Sequence, residues 1–226
     1  MTNKNKLIWD IPTRLFHWLL VIGFFLQWLT GEYLDDAIDW HFTIGYCMLG
    51  LILFRLTWGF IGTRYARFKS FIFPPKEILQ YAKSLPNKNS ETYAGHNPIG
   101  GIAVLVMLLM IGLQALSGLF VSDDIFSEGP YRSVANQSVT EIMEFIHFNF
   151  FDFILAIVAL HILAVLFYQF YKKQTLINAM IHGKKQLDAN PIPSSKLWAG
   201  LLVAGLIAIA VYILVAVLPP QPEVYY

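Results

Sequence analysis

Residues Phe145–Tyr171 read FIHFNFFDFILAIVALHILAVLFYQFY, an apolar run with one charge, Asp152, and two histidines, His147 and His161. About 20 apolar residues cross roughly 30 Å of hydrocarbon, so the run is long enough to span a bilayer. Backbone polar groups in lipid must be satisfied within the segment, which predicts a helix. His147 and His161 are 14 residues apart. That is close to four full turns, so both project from one face, about 21 Å apart along the axis.

Outward from this run the same pattern recurs. No charge lies between Arg14 and Glu32, between Glu91 and Asp123, between Asp152 and Lys172, or between Lys196 and Glu223. Five spans are predicted: Leu15–Tyr33, His41–Ile61, Pro98–Val121, Phe145–Tyr171 and Leu197–Leu218. Arg55 interrupts the second, where a long cation near a helix end is expected to snorkel to the interface. Whole-chain values agree: of 226 residues 56% are hydrophobic and 14% charged, with a mean hydropathy of +0.54. The net charge of +1 gives no nucleic-acid footprint.

Charge segregation predicts orientation. Lys4, Lys6 and Arg14 precede the first span. Arg64, Arg67, Lys69, Lys76, Lys83 and Lys88 lie between the second and third, and Lys172, Lys173, Lys184, Lys185 and Lys196 between the fourth and fifth. The opposite loops hold one cation, Arg132, with Glu32, Asp35, Asp36 and Asp39 in one and Asp123, Asp124, Glu128, Glu141 and Glu144 in the other. The positive-inside rule places the N-terminus in the cytoplasm and the C-terminus outside. The first span lacks a small-residue cleavage site after its apolar run and is expected to be retained. The prolines and serines of Asp188–Lys196 read as a linker, which divides the chain into residues 1–185, a linker over 186–196, and a fifth helix with a short outer tail over 197–226.

Four of the six histidines fall at membrane depth. A single histidine in a span is often a hydrogen-bonded packing residue, but intramembrane ionisable groups are costly and usually functional. Counted from the outer helix ends, His41 lies two residues from Asp39 and His147 three from Glu144; His17 lies fifteen from Glu32 and His161 seventeen from Glu144. His41 and His147 therefore share an outer level, and His17 and His161 an inner one. Pairing His17 with His147 would need partners about 20 Å apart in depth. Two stacked pairs of opposed imidazoles suit two six-coordinate haems, whose filled axial positions restrict them to electron transfer. A zinc or di-iron site needs three or four ligands within a few Å, and these histidines are too dispersed. The single cysteine, Cys47, sits in an apolar run and is expected to be a small buried packing residue; no C-x-x-C-H exists for covalent haem attachment.

The chain resembles the bacterial cytochrome b561 family, which includes the b-type cytochrome subunits of nickel–iron hydrogenases. The resemblance covers roughly Ile8 to Lys185. It rests on Trp9-Asp10-x-Pro12-Thr13-Arg14-Leu15-Phe16-His17-Trp18, on His41-x-x-x-Gly45-Tyr46, and on Arg55-x-x-Trp58-Gly59-Phe60-x-Gly62. It continues in Gly95-His96-Asn97-Pro98-x-Gly100 and in His161 leading into Asn178-Ala179-Met180-Ile181-x-Gly183-Lys184-Lys185. It implies an all-α membrane bundle, a four-helix dihaem core, with a fifth C-terminal helix as a departure. It also implies two haem b groups with axial pairs His17–His161 and His41–His147, and quinone as substrate. A periplasmic redox protein, a c-type cytochrome or a hydrogenase, is the implied partner, and the bacterial inner membrane the implied location.

Other residues carry open readings. His96 either caps a helix or contacts headgroups, or it stands near a haem propionate or a quinone; His182, in a cationic loop, reads as solvated. Asp152 lies about 140° around the helix from His147, off the haem-facing stripe. It is either an interfacial carboxylate or a proton acceptor near a quinone. Gly45, Gly50, Gly112 and Gly118 suit either a bulky macrocycle or close helix packing. The leading expectation is electron transfer between quinone and an outer partner. A superoxide:quinone oxidoreductase ranks lower, because acidic outer loops repel an anion. A haem-free transporter or assembly factor is the third reading.

Overall fold

The computed structural model describes residues 5–88, 91–123 and 127–220; Lys4, Asp124 and the end of the outer tail lie outside them. In chain order the elements are β1 (Asn5–Leu7), α1 (Ile11–Glu32), α2 (Ile38–Ile61), α3 (Pro75–Ser84), α4 (Pro98–Ser117), α5 (Gln137–Asn149), α6 (Phe151–Phe170), α7 (Leu176–His182), β2 (Lys184–Gln186) and α8 (Leu197–Tyr212). Among the described residues five helices are long and apolar enough to cross a membrane: α1, α2, α4, α5 with α6, and α8 with the π turn Ile213–Val217. The chain is a multi-pass membrane protein with an all-α bundle and one two-stranded sheet.

Side-chain caps fix where the spans begin. Asp10 accepts a hydrogen bond from Thr13 N at 2.7 Å, and Pro12 sits in the first turn, so α1 starts four residues before the apolar run. Asn97 caps α4 in the same way through Gly100 N at 2.7 Å, followed by Pro98. Asn136 caps α5 through Val139 N at 3.0 Å, so the fourth span begins at Gln137 rather than Phe145. α4 stops at Ser117, short of the expected Val121, because the chain turns back: Gly129 N donates to Val121 O and Tyr131 N to Leu119 O.

α1 packs on α2, α2 on α4, and α4 on α6. Their shared core contains Phe16, Met48, Ile52, Trp58, Leu108 and Ile111. The opposite helix faces expose Leu19, Ile22, Leu163, Phe170, Leu202 and Leu206, as lipid contact requires. Cys47 is on such an exposed face rather than buried as expected, because hydrophobicity all round a span conceals which side meets lipid. Arg55 does not snorkel; it is 2% exposed, with its guanidinium carbon 5.2 Å from the Phe68 ring centre and 5.8 Å from that of Phe71.

α8 lies along α2 and touches α1. A Cβ on Gly200 would sit 2.4 Å from Pro12 Cγ, Val203 joins the core, and Tyr131 donates to Leu214 O at 2.7 Å. The segment before it is tied down as well: Ile192 N donates to Leu7 O at 2.9 Å, and Tyr65 Oη to Asn190 O at 2.7 Å. At the cation-rich end of the bundle β1 pairs antiparallel with β2, Lys6 opposite Lys185. Gly183, at φ +80°, ends α7 in the left-handed region and lets its carbonyl accept from Ile8 N and Trp9 N.

Candidate functional site

The outer pair meets. The rings of His41, in the first turn of α2, and His147, near the end of α5, are 6.2 Å apart between centres with planes at 83°. Metal–imidazole bonds of about 2 Å, with about 1 Å more from each nitrogen to its ring centre, would set two axial imidazoles about 6 Å apart. The observed separation therefore fits one iron between the rings.

Both imidazoles are oriented from behind. His147 Nδ1–H donates to Gln114 O at 3.2 Å, with Ser117 Oγ at 3.1 Å. Thr30 Oγ1 donates to Leu26 O at 2.8 Å, so its oxygen accepts from His41 Nδ1–H at 3.3 Å. These bonds assign the proton to Nδ1 on each ring and leave the Nε2 lone pair for a metal. Gln114 Nε2 also donates to His147 O at 2.8 Å, tying α4 to α5.

Around the pair is a cavity of about 470 Å³ lined by Phe24, Gln27, Met48, Ile111, Gln114 and Phe151 among others. That volume lies within the range of cofactor pockets, and the wall is largely apolar, as a macrocycle requires. Small residues bring the helices close to the rings. A Cβ on Gly31 would lie 3.0 Å from His41 Cε1, and one on Gly118 3.2 Å from His147 Cε1. Gly45 likewise faces the cavity, whereas Gly50 meets Val211 and Gly112 meets Ile52, which makes those two packing glycines.

Asp152 lines this cavity, contrary to the expectation from a straight helix. The span bends at Phe150, between α5 and α6, so a constant 100° per residue does not hold across it. Glu32 and Asp123 also line the cavity.

At the inner level, His17 of α1 and His161 of α6 lie within electrostatic reach of one another, and His96 is within reach of both. His96 packs edge-on against Trp9 and Phe71, ring centres 4.9 and 4.6 Å away. Several buried polar atoms here have no protein partner: Thr13 Oγ1, Arg14 Nε, His17 Nδ1, Arg55 Nη1 and Nη2, and His96 Nδ1. Buried polar groups in folded proteins are normally satisfied, so this set fits a further polar group in their midst. Below it, Lys185 Nζ donates to the carbonyls of Tyr93, Ala94 and Gly95 at 3.2, 2.8 and 3.4 Å. Burial pushes its pKa down to about 8. His182 is exposed on the same side.

The comparisons with known proteins agree with this geometry. A family model described as prokaryotic cytochrome b561 matches residues 8–183. The chain belongs to this family. Membership implies haem b as the cofactor. Similar proteins include the probable Ni/Fe-hydrogenase B-type cytochrome subunit of Azotobacter vinelandii, 27% identical over 128 residues, covering 46% of this chain and 53% of that one. The probable Ni/Fe-hydrogenase 1 B-type cytochrome subunit of Escherichia coli K12 is 25% identical over 138 residues, covering 49% and 57%. The chain thus spans about half the length of the curated relatives it matches. No solved structure matches it significantly.

Sequence reasoning located the histidines of this cytochrome b561 relative but missed their supports, Thr30, Gln114 and Ser117. Polar residues in otherwise apolar spans were the available signal. It also misjudged Arg55, which it read as a motif residue and as an interruption of the second span but not as a buried cation.

Proposed function

We propose that the protein is a dihaem b-type cytochrome passing electrons between the quinone pool and a redox protein at the periplasmic face. The observation that carries this reading is the opposed His41–His147 pair, 6.2 Å apart in an interhelical cavity. His41 with His147 holds an outer haem b, and His17 with His161 an inner one. A haem b at each pair supplies one-electron chemistry with no open coordination position.

The chain's own groups set the conditions. Thr30 and the Gln114 carbonyl hold the outer tautomers, and the apolar helix faces keep water from the cavity. Glu32 and Asp123 give its wall acidic groups, suited to a cationic patch on the partner. The similarity to hydrogenase cytochrome subunits favours a hydrogenase as that partner, with a c-type cytochrome as the other candidate. The quinone site belongs at the inner level near Arg14 and His96, and the outer cavity with Asp152 is its rival. Fourteen of the sixteen cations lie on loops of one side, which supports an inner-membrane location with the N-terminus cytoplasmic. Residues 1–185 carry every proposed ligand, 186–196 link, and 197–226 add the fifth helix.

Haem content per chain and spectra of ligand variants test the reading. Two non-covalent low-spin haems are expected, with His41→Ala and His147→Ala losing the same one and His17→Ala and His161→Ala the other. One haem per chain, or losses that link His17 with His147, would refute it.

A further inference from the structure

We propose that Arg55 is the charge partner of a haem propionate, belonging to the haem that His17 and His161 hold; this rests on the two-haem reading above. Arg55 is 2% exposed in the middle of a protein core, and neither Nη1 nor Nη2 has a partner. The Phe68 and Phe71 rings lie near its guanidinium carbon, where a π cloud interacts with charge but leaves the N–H groups unsatisfied.

Among the described residues no carboxylate fills that role. Asp10 is the acid within electrostatic reach, but its oxygens already accept from Thr13 N, Trp58 Nε1 and Thr63 Oγ1, and no ion pair joins it to Arg55. Of the other described acids on the cytoplasmic side, Asp188 pairs with Lys6 at 3.2 Å, and Glu77 and Glu91 are exposed. A buried guanidinium is stable only when paired, and its fork of donors matches a carboxylate.

Placement selects the carboxylate. Arg55 is six residues from the inner end of α2 at Ile61, and His17 six from the inner end of α1 at Ile11. At 1.5 Å per residue, both stand about 9 Å in. His96 is within electrostatic reach of Arg55, His17 and His161 together, which brings these side chains into one neighbourhood. An axial pair drawn from α1 and α6 leaves the macrocycle's edges toward α2 and α4. α2 carries Arg55, and His96 immediately precedes α4. The propionates of haem b share one edge of the ring, and a haem held here would find unsatisfied donors for that edge in Arg55 and its neighbours. Of the remaining orphans, His96 Nδ1 and Arg14 Nε suit the second propionate or its water.

The expected signature is electrostatic. An unpaired propionate near the iron stabilises the ferric state, so losing the guanidinium lowers the potential of that haem alone. The propionate then also takes up a proton on reduction. The potential should approach the native value at low pH and fall as pH rises through the carboxyl titration.

The test is a redox titration of the purified full-length protein, with the inner haem identified by its loss in His161→Ala. Arg55→Gln should shift the inner potential downward and make it pH-dependent, while the outer potential stays in place; Arg55→Lys should recover most of the shift. If Arg55→Gln loses the inner haem, native protein reconstituted with haem dimethyl ester, whose neutral side chains leave the guanidinium unpaired, should instead show the inner potential shifted upward, and Arg55→Lys should retain that haem. An inner potential unmoved in both Arg55→Gln and the ester protein overturns the proposal while two haems remain bound. Weakened quinone binding with unmoved potentials also overturns it, assigning Arg55 to quinone instead. A single haem per chain refutes the underlying two-haem reading.

Discussion

Trp58 Nε1 lies 3.3 Å from each carboxylate oxygen of Asp10, which also caps α1 through Thr13 N. One buried carboxylate thus joins the start of the first span to the end of the second, with Thr63 as a further donor. Asp10→Ala would uncap α1 and strand the Trp58 and Thr63 donors. A cap is worth about 1 kcal/mol, and each orphaned buried group costs about 1–3 kcal/mol, so a loss of roughly 3 kcal/mol is expected. Thermal unfolding in detergent measures it. Because His17 sits on the second turn of the same helix, haem loss should begin at the inner site.

Thr30 is the accepting oxygen behind His41. Removing such a support typically costs 10–100-fold in metal affinity. Thr30→Val should therefore release the outer haem about ten-fold more readily to a haem-scavenging apoprotein, with Thr30→Ser close to native. Equal haem retention in Val and Ser variants would show that the hydroxyl does not orient the ring.

The 83° between the His41 and His147 planes has a spectroscopic consequence. Crossed axial imidazoles leave the two iron π orbitals nearly equal in energy, and a low-spin ferric ion then gives a strongly axial resonance. The outer haem should show this in frozen-solution electron paramagnetic resonance, and His147→Ala should abolish it. A rhombic outer signal would mean that the rings turn parallel around the iron.

The parts of this architecture legible in sequence were those written in charge and spacing. Asp39 and Glu32 mark helix ends; Glu144, seven residues inside α5, marks only the edge of the apolar run. A rise of 1.5 Å per residue turns those marks into depth. That is why His41 was matched to His147 before any contact was known. Arg55 and Cys47 were misjudged together, because spans apolar on every side do not reveal which face is interior. Asp152 escaped because the bend at Phe150 breaks the regular angular count. The surface helices α3 and α7 and the β1–β2 pairing were not expected at all. Each is too short for a strong periodic signal, and the pairing joins strands nearly the whole chain apart.

Lys185 supplies a pH test outside the membrane. Its folded pKa is lowered by burial to about 8 from 10.5. Between those values the unfolded chain binds more protons, so stability rises with pH; below about 8 both states are protonated and the penalty is complete. The gap between 10.5 and about 8 corresponds to a rise of about 3 kcal/mol. Compared with Lys185→Met, the native Tm should climb as pH moves from about 8 to about 10. A constant difference would show that the ammonium is fully satisfied by its carbonyls.

The fifth helix separates ligand supply from stability. Every proposed ligand lies before Lys185, so truncation there removes no axial nitrogen. Yet α8 contributes Val203 to the core, seats Gly200 against Pro12 at the start of α1, and places Val211 3.7 Å from where a Cβ on Gly50 would lie. Burying one such aliphatic side chain is worth about 1.5–3 kcal/mol in water, and less between helices in lipid, where tight packing is the driving term. Truncation after Lys185 should therefore leave two haems per inserted chain but lower the Tm by several degrees. Gly200→Val tests the contact within the full chain. Its added methyls cannot fit against the Pro12 ring without moving α8, and overpacking of this kind costs about 1–3 kcal/mol. A fall in Tm with spectra intact for both variants is the expected result. Loss of one haem on truncation, with insertion unimpaired, would show that α8 shapes a haem site and does not merely brace α1 and α2.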